Sequence, residues 1–529
     1  MPTLDSASAM RGTWDQLLEE LAEKKAAFSL GGGQDRIDLQ HSRSKLTARE
    51  RLDLLFDPGS FVEYGMLADH NPLIPAMEGK LTPADGVITG IGEIDGRRAC
   101  VAAYDFTVMA GSMGAIGEMK VARMRELAVR LRIPMIWLLD SAGARIQEAA
   151  GSQFARSGQL FREEVVMSGV VPLVSAMLGP CAAGTAYIPG LSDFVPMVKG
   201  TSSMALAGSH LVKAAVGEDK TDEEIGGSEV HTRYSGVADL EVPDDKTCIE
   251  VVREYLSFFP SHNREQPPTR QTDDPADRSC GKLLKIVPVN QRQAYDVRKV
   301  VEEIVDDHRV FEMKPAWARN VVTAFGRFGG MPAGIVANQP MMLGGALDVN
   351  GADKVARFVW LCDAFNIPLV FLMDVPGFLV GSAIERQGII RHGAKMLFAV
   401  SEATVPKVTV VTRKGYGAGY FVMNGFAYEP EYIVAWPTAE ISVMGPEGAV
   451  NIIFRKEVEA AAPEDQDRVR SERVKAVRDS ISPYIAARWA GVDDVIDPRD
   501  TRKAIHRGLV LGRSKTVERP WRKHGVLPV

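Results

Sequence analysis

Two stretches that follow apolar runs have the composition of turns able to hold a negative charge. Residues 408–412 are apolar and β-branched, and lead into Arg413, Lys414, Gly415, Tyr416, Gly417, Ala418, Gly419, Tyr420 and Phe421. Three glycines and an alanine between a strand and a helix let backbone approach a ligand closely. They also leave amide N–H groups unpaired at the helix N-terminus. Donors of this kind are in place before charge develops, so they can stabilise an oxyanion. A related turn lies upstream: Gly179, Pro180, Cys181, Ala182, Ala183 and Gly184. An earlier turn precedes each of them, running Asp140, Ser141, Ala142, Gly143, Ala144, Arg145, Ile146, Gln147, Glu148 in one case and Asp374, Val375, Pro376, Gly377, Phe378 in the other. A single Gly-rich turn serves equally well as a plain strand-to-helix connection; its recurrence is what favours chemistry. No Gly-Lys-Ser or Gly-Lys-Thr follows these glycines, their spacing is not that of a dinucleotide fingerprint, and no Ser lies in a G-x-S-x-G elbow. The chemistry on offer is stabilisation of an enolate or oxyanion by backbone donors, without an obvious side-chain nucleophile.

The elements that position these turns occur twice. Residues 134–139 form an apolar run ending at Asp140, and residues 368–373 form one ending at Asp374. Val87, Ile88 and Thr89 are matched by Val321, Val322 and Thr323; Lys120 to Arg123 by Lys354 to Arg357; Val171 and Pro172 by Val405 and Pro406, all at one offset. A constant offset over such a length means two tandem copies of one domain, far longer than a solenoid repeat. Apolar runs flanked by helical patterns indicate strands buried on both faces, hence an α/β core with crossover connections. A polar stretch rich in proline (Pro260, Pro267, Pro268, Pro275) separates the copies, giving expected domains 1–262 and 276–529. Ahead of the first copy, residues 13–27 are predicted as an amphipathic helix. A second helix follows around Lys45 to Leu55, with Thr47 as N-cap and Glu50 at the capping-box position.

Composition narrows the function classes. The 529 residues are 46% hydrophobic and 25% charged, with a net charge of −6, which leaves no electrostatic footprint for nucleic acid or an anionic membrane. Five dispersed cysteines with no C-x-x-C pairing exclude a zinc ribbon and imply free thiols in a reducing compartment. No apolar signal core or membrane-length run occurs, so a cytoplasmic protein is expected, with no metal.

Taken together, residues 45–51, 54–63, 105–114, 140–148, 179–181, 226–227, 235–238, 374–378, 388–395, 413–423 and 484–502, with His231, make the chain resemble the carboxyltransferase (β) subunit of biotin-dependent acyl-CoA carboxylases, the propionyl-CoA and methylcrotonyl-CoA carboxylase group. The resemblance implies two crotonase-like domains, the N-terminal one binding acyl-CoA and the C-terminal one carboxybiotin. Biotin would be carried on a separate α subunit that holds the biotin carboxylase and carrier regions. It implies transfer of CO2 to the α (or vinylogous γ) carbon of the acyl-CoA through an enolate, with no protein general base, in a homohexameric core. Each site there combines the N-domain of one subunit with the C-domain of another. By motif position, Ala142 and Gly143 would form the acyl-thioester oxyanion hole, and Ala418 and Gly419 the biotin-carbonyl hole. Ser141, Ala144, Arg145, Gly179, Ala183, Gly184, Tyr187 and Phe421 would line the acyl-CoA site; Gly377, Phe378, Tyr416, Gly417 and Tyr420 would line the biotin site.

The chain departs from the family pattern in several places. Ala142 stands where relatives often have Gly, a change that leaves the backbone donor. The order Gly417, Ala418, Gly419 and the stretch 380–385 lean toward the methylcrotonyl type, and Phe421 stands where short-chain enzymes usually place Asp. His392 reads as helix packing in preference to a CoA-phosphate contact, and His210 and His231 read as structural. Lys120, in a Met-Lys pair, is not a biotin attachment site, because its repeat-mate is Lys354. The competing functions are a biotin-dependent decarboxylase or transcarboxylase subunit and, in another class, a non-catalytic scaffold. A single-domain CoA hydratase of the crotonase kind is disfavoured by the second copy.

Overall fold

The apolar runs predicted as strands form the middle of two mixed sheets. The computed structural model describes residues 13–152, 155 and 157–529. The chain divides at Leu256/Ser257 into two units. In the first, the strands are β1 (Val62–Tyr64), β2 (Val87–Ile94), β3 (Arg97–Tyr104), β4 (Met135–Ser141), β5 (Leu173–Ala182), β6 (Pro196–Val198), β7 (Ser203–Ala205) and β8 (Leu240–Val242). They are ordered β1-β2-β3-β4-β5-β6-β8, with β7 on β5. The second unit holds β9 (Phe311–Met313), β10 (Val321–Phe328), β11 (Met331–Asn338), β12 (Leu369–Val375), β13 (Lys407–Tyr416), β14 (Tyr432–Ala435), β15 (Glu440–Ser442) and β16 (Asp494–Val495). Their order is β16-β14-β13-β12-β11-β10-β9, with β15 on β13. In both sheets the first long pair is antiparallel and the next two pairings are parallel.

The duplication is visible residue by residue. The first residues of β2 to β5 (87, 97, 135, 173) and of β10 to β13 (321, 331, 369, 407) differ by 234 throughout. Unusual backbone angles recur at the same offset: φ is +94° at Gly143 and +125° at Gly377, +57° at Ala183 and +55° at Gly417, +53° at Ala84 and +46° at Ala318. The paired lysines do one job in both copies. Lys120 Nζ donates to the carbonyls of Ala84 (2.7 Å) and Val87 (2.6 Å), and Lys354 Nζ to those of Lys314 and Val321 (both 2.9 Å). Each ammonium ties a crossover helix, α4 (Ala115–Leu131) or α6 (Val349–Ala364), to the start of its sheet, which is a structural role.

The N-terminal segment supplies α1 (Trp14–Ser29), α2 (Gln34–Ser42) and α3 (Ala48–Leu55). Thr47 caps α3 in a full capping box: its Oγ1 accepts from Glu50 N, and Glu50 Oε2 accepts from Thr47 N at 2.7 Å. The amphipathic pattern of α1 forms a helix but no core contact, since none of its residues is buried. The Pro-rich stretch is tied into folded structure. Residues 257–276 belong to the second unit, where Arg327 Nη1 donates to Pro268 O, Arg502 Nε to Pro275 O and Arg270 N to Gly330 O, each at 3.0 Å. Proline offers carbonyls without N–H groups, so arginines from folded elements can satisfy it.

Candidate active site

Each sheet ends in two turns that lie side by side. In the first unit, β4 and β5 change register between Leu139 and Ser141, and β12 and β13 do so between Met373 and Val375. Beyond that break the chain bridges to a neighbouring loop. Met113 N donates to Gly143 O (2.9 Å) and Arg145 N to Met113 O (3.0 Å). These two bonds bracket Ala144, so its own N–H faces the opposite side of the strand, and the residue is exposed. In the second unit Leu347 N donates to Gly377 O (3.0 Å) and Leu379 N to Leu347 O (2.8 Å), which brackets Phe378 in the same way.

The second turn of each pair begins a helix. After β5 comes a 3₁₀ turn, Ala183–Ala186, and after β13 a short α-helix, α7 (Gly417–Val422); neither has a side-chain cap. Their leading amides therefore lack intrahelical partners, and Gly184 and Ala418 are exposed. Adjacency of the two turns follows from the glycines. A Cβ at Gly143 would lie 2.9 Å from Ala182 O, and one at Gly419 would lie 2.8 Å from Val375 Cγ2 and 3.0 Å from Gly377 Cα. Only glycine lets the turns approach this closely.

Buried carboxylates anchor both. Asp140, fully buried, accepts from Lys45 Nζ (2.7 Å), Gln40 Nε2 (3.0 Å) and Arg51 Nη1 (2.9 Å). Asp374 accepts from Arg413 Nε (2.8 Å) and lies 3.1 Å from Lys414 Nζ. Among the described residues no group of His, Cys, Asp and Glu is placed to hold a metal ion, and no helix is long and apolar enough to cross a membrane.

Comparison with known proteins gives the family. Residues 39–527 match the carboxyl transferase domain family. The chain belongs to that family. This carboxyltransferase is 44% identical over 518 residues to the carboxyltransferase subunit of propionyl-CoA carboxylase from Haloferax mediterranei, covering 98% of the chain and 100% of the relative. It is 44% identical to the methylmalonyl-CoA decarboxylase subunit alpha of Veillonella parvula, covering 98% and 100%. Its fold matches the transcarboxylase 12S crystal structure, a hexamer with methylmalonyl-coenzyme A bound, with a TM-score of 0.94 and 45% identity over 98% of this chain and 99% of that one. The expected class of acyl-CoA carboxylase β subunit and the duplicated crotonase-like fold are thereby established.

The geometry of the carboxyltransferase corrects parts of the residue reading. Ala142 cannot offer its amide, because that N–H donates to Ala110 O at 2.9 Å. The residue at its position in the second unit is Pro376, which has no N–H at all. Gly143 N donates inward to Ser141 Oγ (3.1 Å), so Ser141, itself fully buried, braces the turn. Arg145 is buried too: its guanidinium pairs with Asp85 and with Glu148 and donates to Ser112 O (3.0 Å), leaving nothing for a substrate. Gly179 is packed against the Asp140 carboxylate. Tyr416 is buried beneath its turn with its hydroxyl donating to Glu440; burial and that carboxylate push the phenol's pKa up. Tyr420 OH accepts from Phe426 N (3.1 Å). Tyr187, half exposed, meets Phe161 edge-on at 5.7 Å, and Phe378 lies over Gly393. Phe421 remains 46% exposed, flanked by Tyr420 and Tyr428 with ring centres 6.1 and 6.2 Å away.

The histidines divide. His392 Nδ1 pairs with Asp353 at 2.8 Å in a structural cluster with Lys395, and His231 Nε2 bonds to Met204 O at 2.7 Å. His210 is exposed. Sequence reasoning gave no role to Gln40, Lys45, Arg51 or Arg413. The available signal was Asp140 and Asp374 themselves, carboxylates at the ends of runs too apolar to leave them unpaired.

Proposed function

We propose that this carboxyltransferase moves a carboxyl group between carboxybiotin, held on a separate subunit, and the α carbon of a short-chain acyl-CoA of the propionyl type. The observation that carries the reading is the duplicated pair of turns with outward amides. In the first unit Ala144 and Gly184 bind the thioester oxygen as enolate charge forms on it. In the second, Phe378 and Ala418 bind the ureido oxygen. This assignment takes one donor from each adjacent turn and replaces the pairing of Ala142 with Gly143.

Carboxybiotin supplies an activated carboxyl group when bound. The donor set fits a neutral ureido ring: the cations on the strand that leads into the turn, Arg413 and Lys414, are already paired with Asp374. Fixed amides favour the state in which the oxygen carries charge over the state in which it does not, which is what accelerates the step. The carboxylates of these turns are committed to ion pairs, so none of them serves as the base for the α-proton.

The choice of acyl group is supported by relatives named for propionyl-CoA and methylmalonyl-CoA. The Gly417-Ala418-Gly419 order alters side chains and leaves the donors in place. Identity with a methylmalonyl-CoA decarboxylase subunit supports a second reading, the same transfer run toward decarboxylation. A homohexameric core and a cytoplasmic setting, consistent with five free buried cysteines, complete the proposal.

The test is turnover of an acyl-CoA panel (acetyl, propionyl, butyryl, 3-methylcrotonyl, geranyl) with the co-purified biotinylated partner. ATP- and bicarbonate-dependent carboxylation of propionyl-CoA is expected. Decarboxylation of methylmalonyl-CoA with no net carboxylation would select the second reading, and no turnover in either direction would sink both.

A further inference from the structure

Asp140 and Asp374 occupy equivalent places 234 residues apart, and both are buried at the root of a turn. A buried carboxylate without partners costs several kcal/mol, so each must be neutralised. The two copies do this differently. Asp374 uses Arg413 and Lys414, which lie on β13, the next strand of its own sheet. At the offset those positions are Gly179 and Pro180, which carry no charge. No side chain fits at Gly179: a Cβ there would run into the Asp140 carboxylate and lie 2.7 Å from Lys45 Nζ. The space is filled from elsewhere. Lys45, Arg51 and Gln40 come from the segment before β1, outside the strands that keep the offset.

Arg51 is the hub of this substitute. Besides Asp140, its Nε donates to Asp245 Oδ2 (2.8 Å) and its Nη2 to Leu178 O on β5 (3.3 Å), so one guanidinium spans the roots of both acyl-side turns. Lys45 Nζ also stands 4.8 Å above the ring of Phe106. Two cations meet two carboxylates, and all four side chains are nearly free of solvent contact.

We infer that Gln40, Lys45 and Arg51 are positioning residues for the acyl-side turn: a clamp on Asp140, supplied from the segment ahead of β1, that sets the backbone of residues 140–144. The inference rests on the reading of that turn as the acyl side. On the biotin side the cations lie within the sheet itself, and the segment ahead of it only braces them: Arg413 Nη1 donates to the carbonyls of Asn290 (3.0 Å) and Gln293 (2.8 Å). The two turns are therefore set by separate charge clusters, and a variant in either cluster acts on one substrate.

The experiment is carboxyl transfer from methylmalonyl-CoA to free biotin by the full-length protein, with each substrate varied in turn. Removing one clamp donor in Lys45→Met displaces the turn, and a displacement of about 1 Å lowers kcat on the order of a hundredfold. The KM for the acyl-CoA rises with it, while that for biotin stays within about twofold. Arg413→Met shows the reverse split. Lys45→Arg, which keeps the charge, recovers part of the loss, and so does Asp140→Asn added to Lys45→Met, because it removes the stranded carboxylate. Gln40→Met deletes a neutral donor and gives a smaller change in the same direction, which keeps the test open if Lys45→Met does not fold. Equal shifts in both KM values, or no shift in a folded variant, would overturn the clamp. Absence of transfer by the wild-type protein would instead remove the reading of the site, and the clamp's role with it.

Discussion

At the scale of single residues, the proposed function rests on backbone groups, and side chains matter by permitting or blocking them. Gly419 shows this most directly. The Cβ of Gly419→Ala would press on Val375 and Gly377 Cα, pushing the two biotin-side turns apart. Ala418→Pro removes an N–H outright. Each variant is expected to lose about a hundredfold or more in kcat, the usual effect of losing one oxyanion donor. Steady-state transfer to free biotin, with circular dichroism to confirm the fold, checks both. Unchanged transfer by folded Ala418→Pro would remove the biotin-side assignment. Phe421 presents an exposed ring on the helix Gly417–Val422, and we assign it to the wall that limits the acyl group. Phe421→Asp is expected to change the ratio of kcat/KM between propionyl- and butyryl-CoA, and an unchanged ratio would place the ring outside the acyl site.

Among the elements, the layer between crossover helices and sheet differs sharply between copies. In the first unit α4 and α5 (Gln159–Met167) cover β3 to β5 with Tyr104, Arg125, Trp137 and Glu164 buried and Glu118 half-buried. At the offset the second unit has Asn338, Ala352, Val359, Phe371 and Phe398, so the fold does not require those charges. Both oxygens of Glu164 are buried with no hydrogen-bond partner among the described residues. Burial pushes this carboxyl up to about 8, with Arg125 opposing and Glu118 and Glu163 adding to the shift. A carboxyl whose folded pKa is raised favours the folded state fully only below its unfolded value near 4.5. Stability is then lost as pH rises through the interval to about 8, at up to about 1.4 kcal/mol per pH unit. Glu164→Gln cannot ionise, so its stability relative to wild type should climb from pH 5 to pH 8. Chemical denaturation at several pH values measures this, and a difference independent of pH would show that Glu164 is ionised in the folded protein.

For the whole molecule, one chain carries both kinds of turn, and the related 12S structure is a hexamer. We expect a solution mass six times the 57.6 kDa of one chain. Light scattering across a dilution series checks it, and a monomer active at all concentrations would contradict the hexameric core. The exposed apolar face of α1, with Trp14 79% exposed, shows that an amphipathic pattern specifies a helix without specifying what covers it.

The duplication, the α/β class, the capping box of Thr47 and Glu50, and the family were legible in the sequence. They depend on local periodicity and on an offset that survives because four strands kept their lengths in both copies. The turns themselves were legible as glycines after apolar runs. Which amides face outward was not, since Ala142 loses its N–H to Ala110, a residue 32 positions away that only the folded sheet brings alongside. Pro376 at the equivalent position hinted at this. The partners of Asp140 were beyond any local pattern: Gln40, Lys45 and Arg51 lie between 89 and 100 residues from it. Charge neutrality of a buried carboxylate demands a cation without specifying its source. Sequence dictated the need, and tertiary packing chose a neighbouring strand in one copy and the helical segment ahead of β1 in the other.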